Sequence, residues 1–178
     1  FHAEDFSNRI DHNHDGFLDH PLNKQYHLYN VWKYNNRKGL MIHGALRILS
    51  DDRAGGQTGM IRSIPADEQT YYKTEINNDL AEGMFKIGYV WPSGHTAVAL
   101  LSNFVSHDLE SFYGRIPFDA GEKRAYMNLV VTRDLDASAH HVLNTGASYF
   151  LDRFDESLSG TLMNHSESVP GIFAEYTF

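Results

Sequence analysis

The sequence predicts an all-β chain folded as an antiparallel meander. Three observations carry that expectation. Apolar and polar residues alternate with period two over long stretches, aromatic residues make up 13% of the chain, and short runs rich in Gly, Asn and Pro separate the alternating stretches. Period two places successive side chains on opposite faces of a strand, whereas a helix repeats near 3.6. Aromatic side chains suit a pleated, half-buried surface and also the rims of membrane barrels.

The first clear strand covers 26–34, where Tyr26, Leu28, Asn30, Trp32 and Tyr34 alternate with His27, Tyr29, Val31 and Lys33. Aromatics at both ends of one face suit a strand anchored at two membrane interfaces, and equally an aromatic ladder in a soluble sheet. Asn35-Asn36-Arg37-Lys38-Gly39 follows as a hairpin turn. Leu40, Ile42, Gly44, Leu46 and Ile48 then share one face, and Met41, His43, Ala45, Arg47, Leu49 and Asp51 the other. About a dozen alternating residues exceed the usual strand of ~5–6 and suit a tilted membrane strand of roughly 9–11 that projects past the bilayer.

Residues 51–66 read as loop, with Gly55-Gly56, Gly59 and Pro65, and 71–76 as a short strand or loop hairpin. Ala81, Gly83, Phe85, Ile87, Tyr89 and Trp91 form the next apolar face, opposite Glu82, Met84, Lys86 and Gly88. Residues 80–85 imitate a helix, but the alternation continues through them. Trp91-Pro92-Ser93-Gly94 is a turn. Further strands are expected at 96–108, 124–133 and 141–152, and a last one from near Gly171. Six to eight strands joined by turns make a meander with two open edges. Leu40, Ile42, Leu46 and Ile48 should share a face with Phe85, Ile87 and Tyr89, the convex and lipid-facing one in a membrane barrel. His43, Arg47, Glu82 and Lys86 should lie on the other. A soluble β-sandwich would show the same alternation, with its second face in water.

Bulk numbers narrow the function. A net charge of -8 without a basic stripe argues against nucleic-acid binding. Zero cysteines removes disulfides, thiolate metal sites and thiol nucleophiles. No run of roughly 18 apolar residues is present, so a helical membrane span is not expected, whereas membrane strands never build such a run. The chain starts at Phe1 and ends inside the alternating run that reaches Phe178, so it is expected to be an internal piece of a longer chain.

Asp11-His-Asn-His-Asp15-Gly16-Phe-Leu-Asp19-His-Pro21-Leu22, followed by Tyr29-Asn30-Val31-Trp32-Lys33-Tyr34, resembles TonB-dependent outer-membrane receptors of the siderophore- and cobalamin-receptor-like branch. Ser50-Asp51-Asp52-Arg53-Ala54-Gly55-Gly56-Gln57, Lys86-Ile87-Gly88-Tyr89-Val90-Trp91-Pro92, Ser111-Phe112-Tyr113-Gly114, Thr145-Gly146-Ala147-Ser148 and Val169-Pro170-Gly171-Ile172-Phe173-Ala174-Glu175-Tyr176 are similar to later segments in the same order. The resemblance runs over nearly the whole chain. It implies that residues 1–178 form part of a large transmembrane β-barrel, without the plug domain and TonB box of the family. It further implies a place in the outer membrane of a Gram-negative bacterium, in contact with outer-membrane lipid. The partner would be the TonB–ExbB–ExbD complex, acting through that missing N-terminal part. The cargo would be a ferric siderophore, haem, cobalamin or a comparable small molecule.

One stretch carries metal-ligand chemistry. Asp11, Asn13, Asp15 and Gly16, with Asp19 beyond, match the start of a Ca²⁺ loop, and the Phe17 carbonyl would add a ligand. The twelfth position is Leu22 in place of a bidentate Glu, and Pro21 interrupts the loop. The competing reading is a turn held by its own Asx hydrogen bonds. His12, His14, His20 and the His140-His141 pair read as surface histidines. No hydrolase, phosphate-loop or dinucleotide motif is present, and Ser93-Gly94-His95 has no acid beside it in sequence, so an enzyme is not expected. Arg53, Gln57 and Tyr113 are the loop residues placed to touch a cargo. The alternative function is a soluble, calcium-binding β-sandwich that recognises carbohydrate or another ligand.

Overall fold

The computed structural model describes residues 1–138 and 140–178. It is all-β: nine strands form one antiparallel sheet, with a single 3-10 turn at Ala66–Glu68. The strands are β1 (His2–Phe6), β2 (Leu22–Asn35), β3 (Leu40–Gly56), β4 (Lys73–Val90), β5 (Thr96–Tyr113), β6 (Ile116–Asp134), β7 (Val142–Leu158), β8 (Thr161–Leu162) and β9 (His165–Thr177). Neighbours in sequence are neighbours in the sheet, except that β9 pairs with β7 beyond the short β8. β9 is one open edge, and β2 beyond its short pairing with β1 is the other.

The strands outrun the sequence expectation at nearly every boundary. β3 continues through 51–56, so the loop expected there starts only at Gln57. The short strand at 71–76 and the apolar stretch from Ala81 merge into one eighteen-residue strand. β6 begins at Ile116 and β7 runs on to Leu158, while β9 starts at His165, ahead of Gly171. The extra residues carry more Asp, Glu and Gly, which lowers strand propensity. Unbroken pairing with their neighbours overrides that preference.

Turns separate two ends of the sheet. At one end lie short connections: 36–39, 91–95 and the link from β6 to β7. In the first, the Asn36 side-chain oxygen accepts the N–H groups of Lys38 and Leu40 at 2.7 and 3.0 Å. Gly39 has φ 100°, and a Cβ there would sit 2.1 Å from the Val90 carbonyl oxygen, so only glycine fits. At the other end lie the long segments 7–21 and 57–72, together with the tight turn at 114–115.

Buried apolar residues gather at this long-loop end. Leu22, Ala54 and Met60 form a small cluster with Leu18 packed on it. Beside it, Lys73 is fully buried. Its ammonium donates to the carbonyls of Arg62 (2.8 Å) and Ile64 (3.0 Å) and pairs with Glu75 at 2.8 Å. One side chain therefore ties loop 57–72 down onto β4. Lys73→Met should leave the Glu75 carboxylate and two carbonyls without their partner and destabilise this end by about 3 kcal/mol. Limited proteolysis should then cut within 57–72 while the strands stay protected.

Candidate functional site

The candidate functional surface is the sheet itself, because its two faces differ in chemistry. Register pairing puts Leu40 opposite Tyr89, Ile42 opposite Ile87, Gly44 opposite Phe85 and Ile48 opposite Ala81, so the expected apolar set shares one face. His43 pairs with Lys86 and Arg47 with Glu82 on the other, also as expected.

The apolar face is a continuous band. It takes Leu28, Trp32 and Tyr34 from β2, and Val98, Leu100 and Phe104 from β5. β6 adds Met127, Leu129 and Val131, and β7 adds Leu143, Ala147 and Leu151. Ile172 and Tyr176 extend it onto β9. Phe85, Phe104, Met127, Leu129 and Ile172 are exposed, with nothing packed over them. Asn30, Ser102 and Thr145 are polar exceptions, as are Thr96 and Arg133 in the row of Leu143 and Tyr176 at the short-turn end, and the Ser102 hydroxyl donates to the Phe85 carbonyl at 3.2 Å. Toward the short turns the band ends in aromatics: Tyr34, Tyr89, Trp91 and Tyr176, with Tyr89 and Trp91 edge to face at 5.1 Å.

Toward the long loops the band stops at polar residues: Lys24, Ser50, Asp79, Ser106, Lys123, Arg153 and Ser168, one on each strand from β2 to β7 and one on β9. This border is oblique to the hydrogen-bonded rows. At three of the six junctions it slips by one same-face step: Tyr26 opposes Ser50, Ala81 opposes Ser106 and Leu151 opposes Ser168. Each slip runs toward the short-turn end. A same-face step is two residues, so the border drifts by about one residue per strand. With ~3.3 Å per residue and ~4.8 Å between strands, that corresponds to strands inclined by roughly 35° to the normal of the band.

The opposite face is mixed at the same depth, with Ala45, Met84, Leu101, Val105, Tyr126 and Phe150 standing among charged and amide side chains. Glu82, opposite Arg47, also accepts from the Asn103 amide at 2.9 Å. Arg124 opposes Asp152 and pairs with Glu122 at 3.3 Å. Asp152 is 8% exposed, and its Oδ1, like Arg47 Nε, His27 Nε2 and Asn128 Oδ1, is buried without a hydrogen-bond partner. These unpartnered polar atoms call for water or a polar surface against this face rather than lipid.

The acidic loop folds into a web of Asx turns. Asp11 accepts the N–H groups of Asp15 (3.2 Å) and Gly16 (3.1 Å), Asn13 accepts Asp15 N–H (3.2 Å) and Asp15 accepts Phe17 N–H (2.8 Å). Asp19 accepts His12 N–H at 2.8 Å. These bonds lie within the loop and bring the side chains of Asp11, Asn13 and Asp15 to its inner turn. No group of three or more His, Asp or Glu that could hold a metal occurs among the described residues. The loop is anchored elsewhere: Leu18 N–H reaches the Gly56 carbonyl and Thr58 N–H the Gly16 carbonyl, at 2.9 and 2.8 Å.

Of the three residues expected to touch a cargo, Arg53 lies on β3 and pairs with Asp51 at 2.8 Å. Gln57 is a loop staple, its side-chain oxygen accepting Tyr72 N–H at 2.7 Å. Tyr113 is exposed at the long-loop end. His95 does have an acid beside it, Asp134 at 3.4 Å, brought in across the β5–β6 pair where sequence adjacency gives no sign of it. No hydrogen bond joins Ser93 to His95 among the described residues.

Comparison of the chain with protein-family models, with curated proteins and with solved structures returns no match.

Two outcomes follow from the loops. Asp11→Ala should speed amide exchange at Gly16 by about tenfold in Ca²⁺-free buffer, since that backbone donor loses its acceptor, and should affect Asp15 less because the Asn13 side chain still accepts its N–H. Calorimetry of Asp15→Ala against the parent with millimolar Ca²⁺ reads the ion separately. In the β6–β7 turn, the His141 N–H above all holds the Asp136 carboxyl below its ordinary pKa, with Ser138 N–H adding to it. A depressed pKa in the folded state stabilises the turn above the ordinary Asp value. That contribution is lost as pH falls through the depressed one. His141 amide protection should therefore persist below the usual Asp range, and Asp136→Asn should abolish the transition.

Proposed function

We propose that this chain forms part of the wall of an outer-membrane β-barrel that imports a scarce nutrient by TonB-dependent transport. The oblique apolar band carries the membrane half of that reading. A band about nine residues deep along β4 measures roughly 27 Å along the strand and ~22 Å at a 35° tilt, close to the ~25 Å apolar height and the 35–45° tilt of outer-membrane barrels. A soluble sheet has no reason to draw its polar border at a slant to its hydrogen-bonded rows. The two-sheet core of a soluble sandwich also needs a second sheet over the Leu40 and Ile42 face, and the nine strands form one sheet.

On this reading the band faces lipid, the Arg47–Glu82 face lines the interior, and the long-loop end points outward. The transport half rests on the sequence resemblance to TonB-dependent receptors. A ferric siderophore, haem or cobalamin is the class of cargo, with Tyr113 and loop 57–72 on the side it would enter.

Substitution separates the two faces. Leu46→Arg, one same-face step from the middle of the band, should cost about 2 kcal/mol of stability in bilayers. His43→Arg, on the other face, should change stability by no more than ~0.5 kcal/mol. Urea unfolding of the complete reading frame in vesicles reads both, and equal costs would remove the lipid-facing assignment. Cargo uptake that continues undiminished in cells lacking TonB would overturn the transport half.

A further inference from the structure

Lys123 and Arg153 face each other directly across β6 and β7, on the apolar face at its outer border. Among the described residues this is the one place where two basic residues other than histidine are register partners. Both are exposed, and neither takes part in an ion pair. Like charges directly opposite each other destabilise a sheet. The same two strands place Arg124 opposite Asp152 one residue along, on the other face, so complementary pairing is open to them and is used only there.

The surroundings say what would neutralise the pair. Ser106 opposes Lys123 and Ser166 opposes Arg153, adding hydroxyls to the same row. One step inward the apolar band begins at Ala125 and Leu151. One step outward the face turns acidic at Asp108 and Asp155.

We propose that Lys123 and Arg153 together bind the phosphate of a membrane lipid whose acyl chains lie on the adjoining band; this rests on the membrane reading above. A shared phosphate replaces the repulsion of two cations by charge-assisted hydrogen bonds, forked from the guanidinium and single from the ammonium. The outward acids repel an anion arriving from water. An anion carried on acyl chains arrives along the band, and its chains add apolar contact that free phosphate lacks.

The test uses the complete reading frame folded into phosphatidylcholine nanodiscs containing a minor fraction of phosphatidic acid. Native mass spectrometry then counts retained phosphatidic acid. The parent should retain it, and Lys123→Gln/Arg153→Gln should retain about 30-fold less, from two cations at ~1 kcal/mol each. Lys123→Arg should retain it as the parent does, and so should Lys38→Gln in the short turn. Equal retention by parent and double variant, both inserted and heat-modifiable, overturns the lipid site and leaves the barrel reading standing. Displacement by inorganic phosphate at matched concentration also overturns it, because the ligand is then the free anion. A parent that fails to insert removes both.

Discussion

Everything in this sheet depends on an unbroken antiparallel register. From β2 to β7 each strand pairs with the next over fourteen to eighteen residues without a bulge. Side chains alternate with period two, so a one-residue slip at any junction would turn the apolar band of every strand beyond it to the opposite face. Because no slip occurs, Leu40 on β3 and Tyr176 on β9 stand on the same side, several strands apart. The short turns enforce this: the Asn36 side chain and the left-handed Gly39 leave one way to close the β2–β3 hairpin.

The register also explains how this molecule does without an ordinary core. A soluble domain buries its apolar face against another layer. Here Phe85, Phe104 and Leu129 stay open, and the buried apolar cluster around Met60 is small and sits beyond the band. The long-loop end behaves more like a miniature soluble domain, with Leu22, Ala54 and Met60 packed together and Lys73 caged by carbonyls. Stability is thus split between a region that folds by its own contacts and a region whose apolar side needs an environment.

Most of the band was legible from sequence because its signal is local. Leu40, Ile42, Leu46 and Ile48 announce their shared face within nine residues. The strand extensions were not, since 51–56 and 116–123 are rich in Asp, Glu and Gly and become strand only through pairing with distant partners. β1, at His2–Phe6, likewise has no alternation of its own to mark it. The contact of His95 with Asp134 and the facing of Lys123 and Arg153 depend on register between strands, which no single-strand pattern contains. In the acidic loop the sequence marks the side chains that accept backbone N–H groups, and the structure gives their partners.

The slanted border has a consequence for how such a sheet can grow. A new strand must run against its neighbour, so one strand alone would bring its connecting turn to the wrong end. It would also move the border by one residue, half of a same-face step. Two strands restore direction and move the border by one whole step. The β-hairpin is therefore the smallest unit that can be duplicated or lost while every remaining side chain keeps its side. A lineage of such sheets should change size in pairs, with the short turns as the points where copies join.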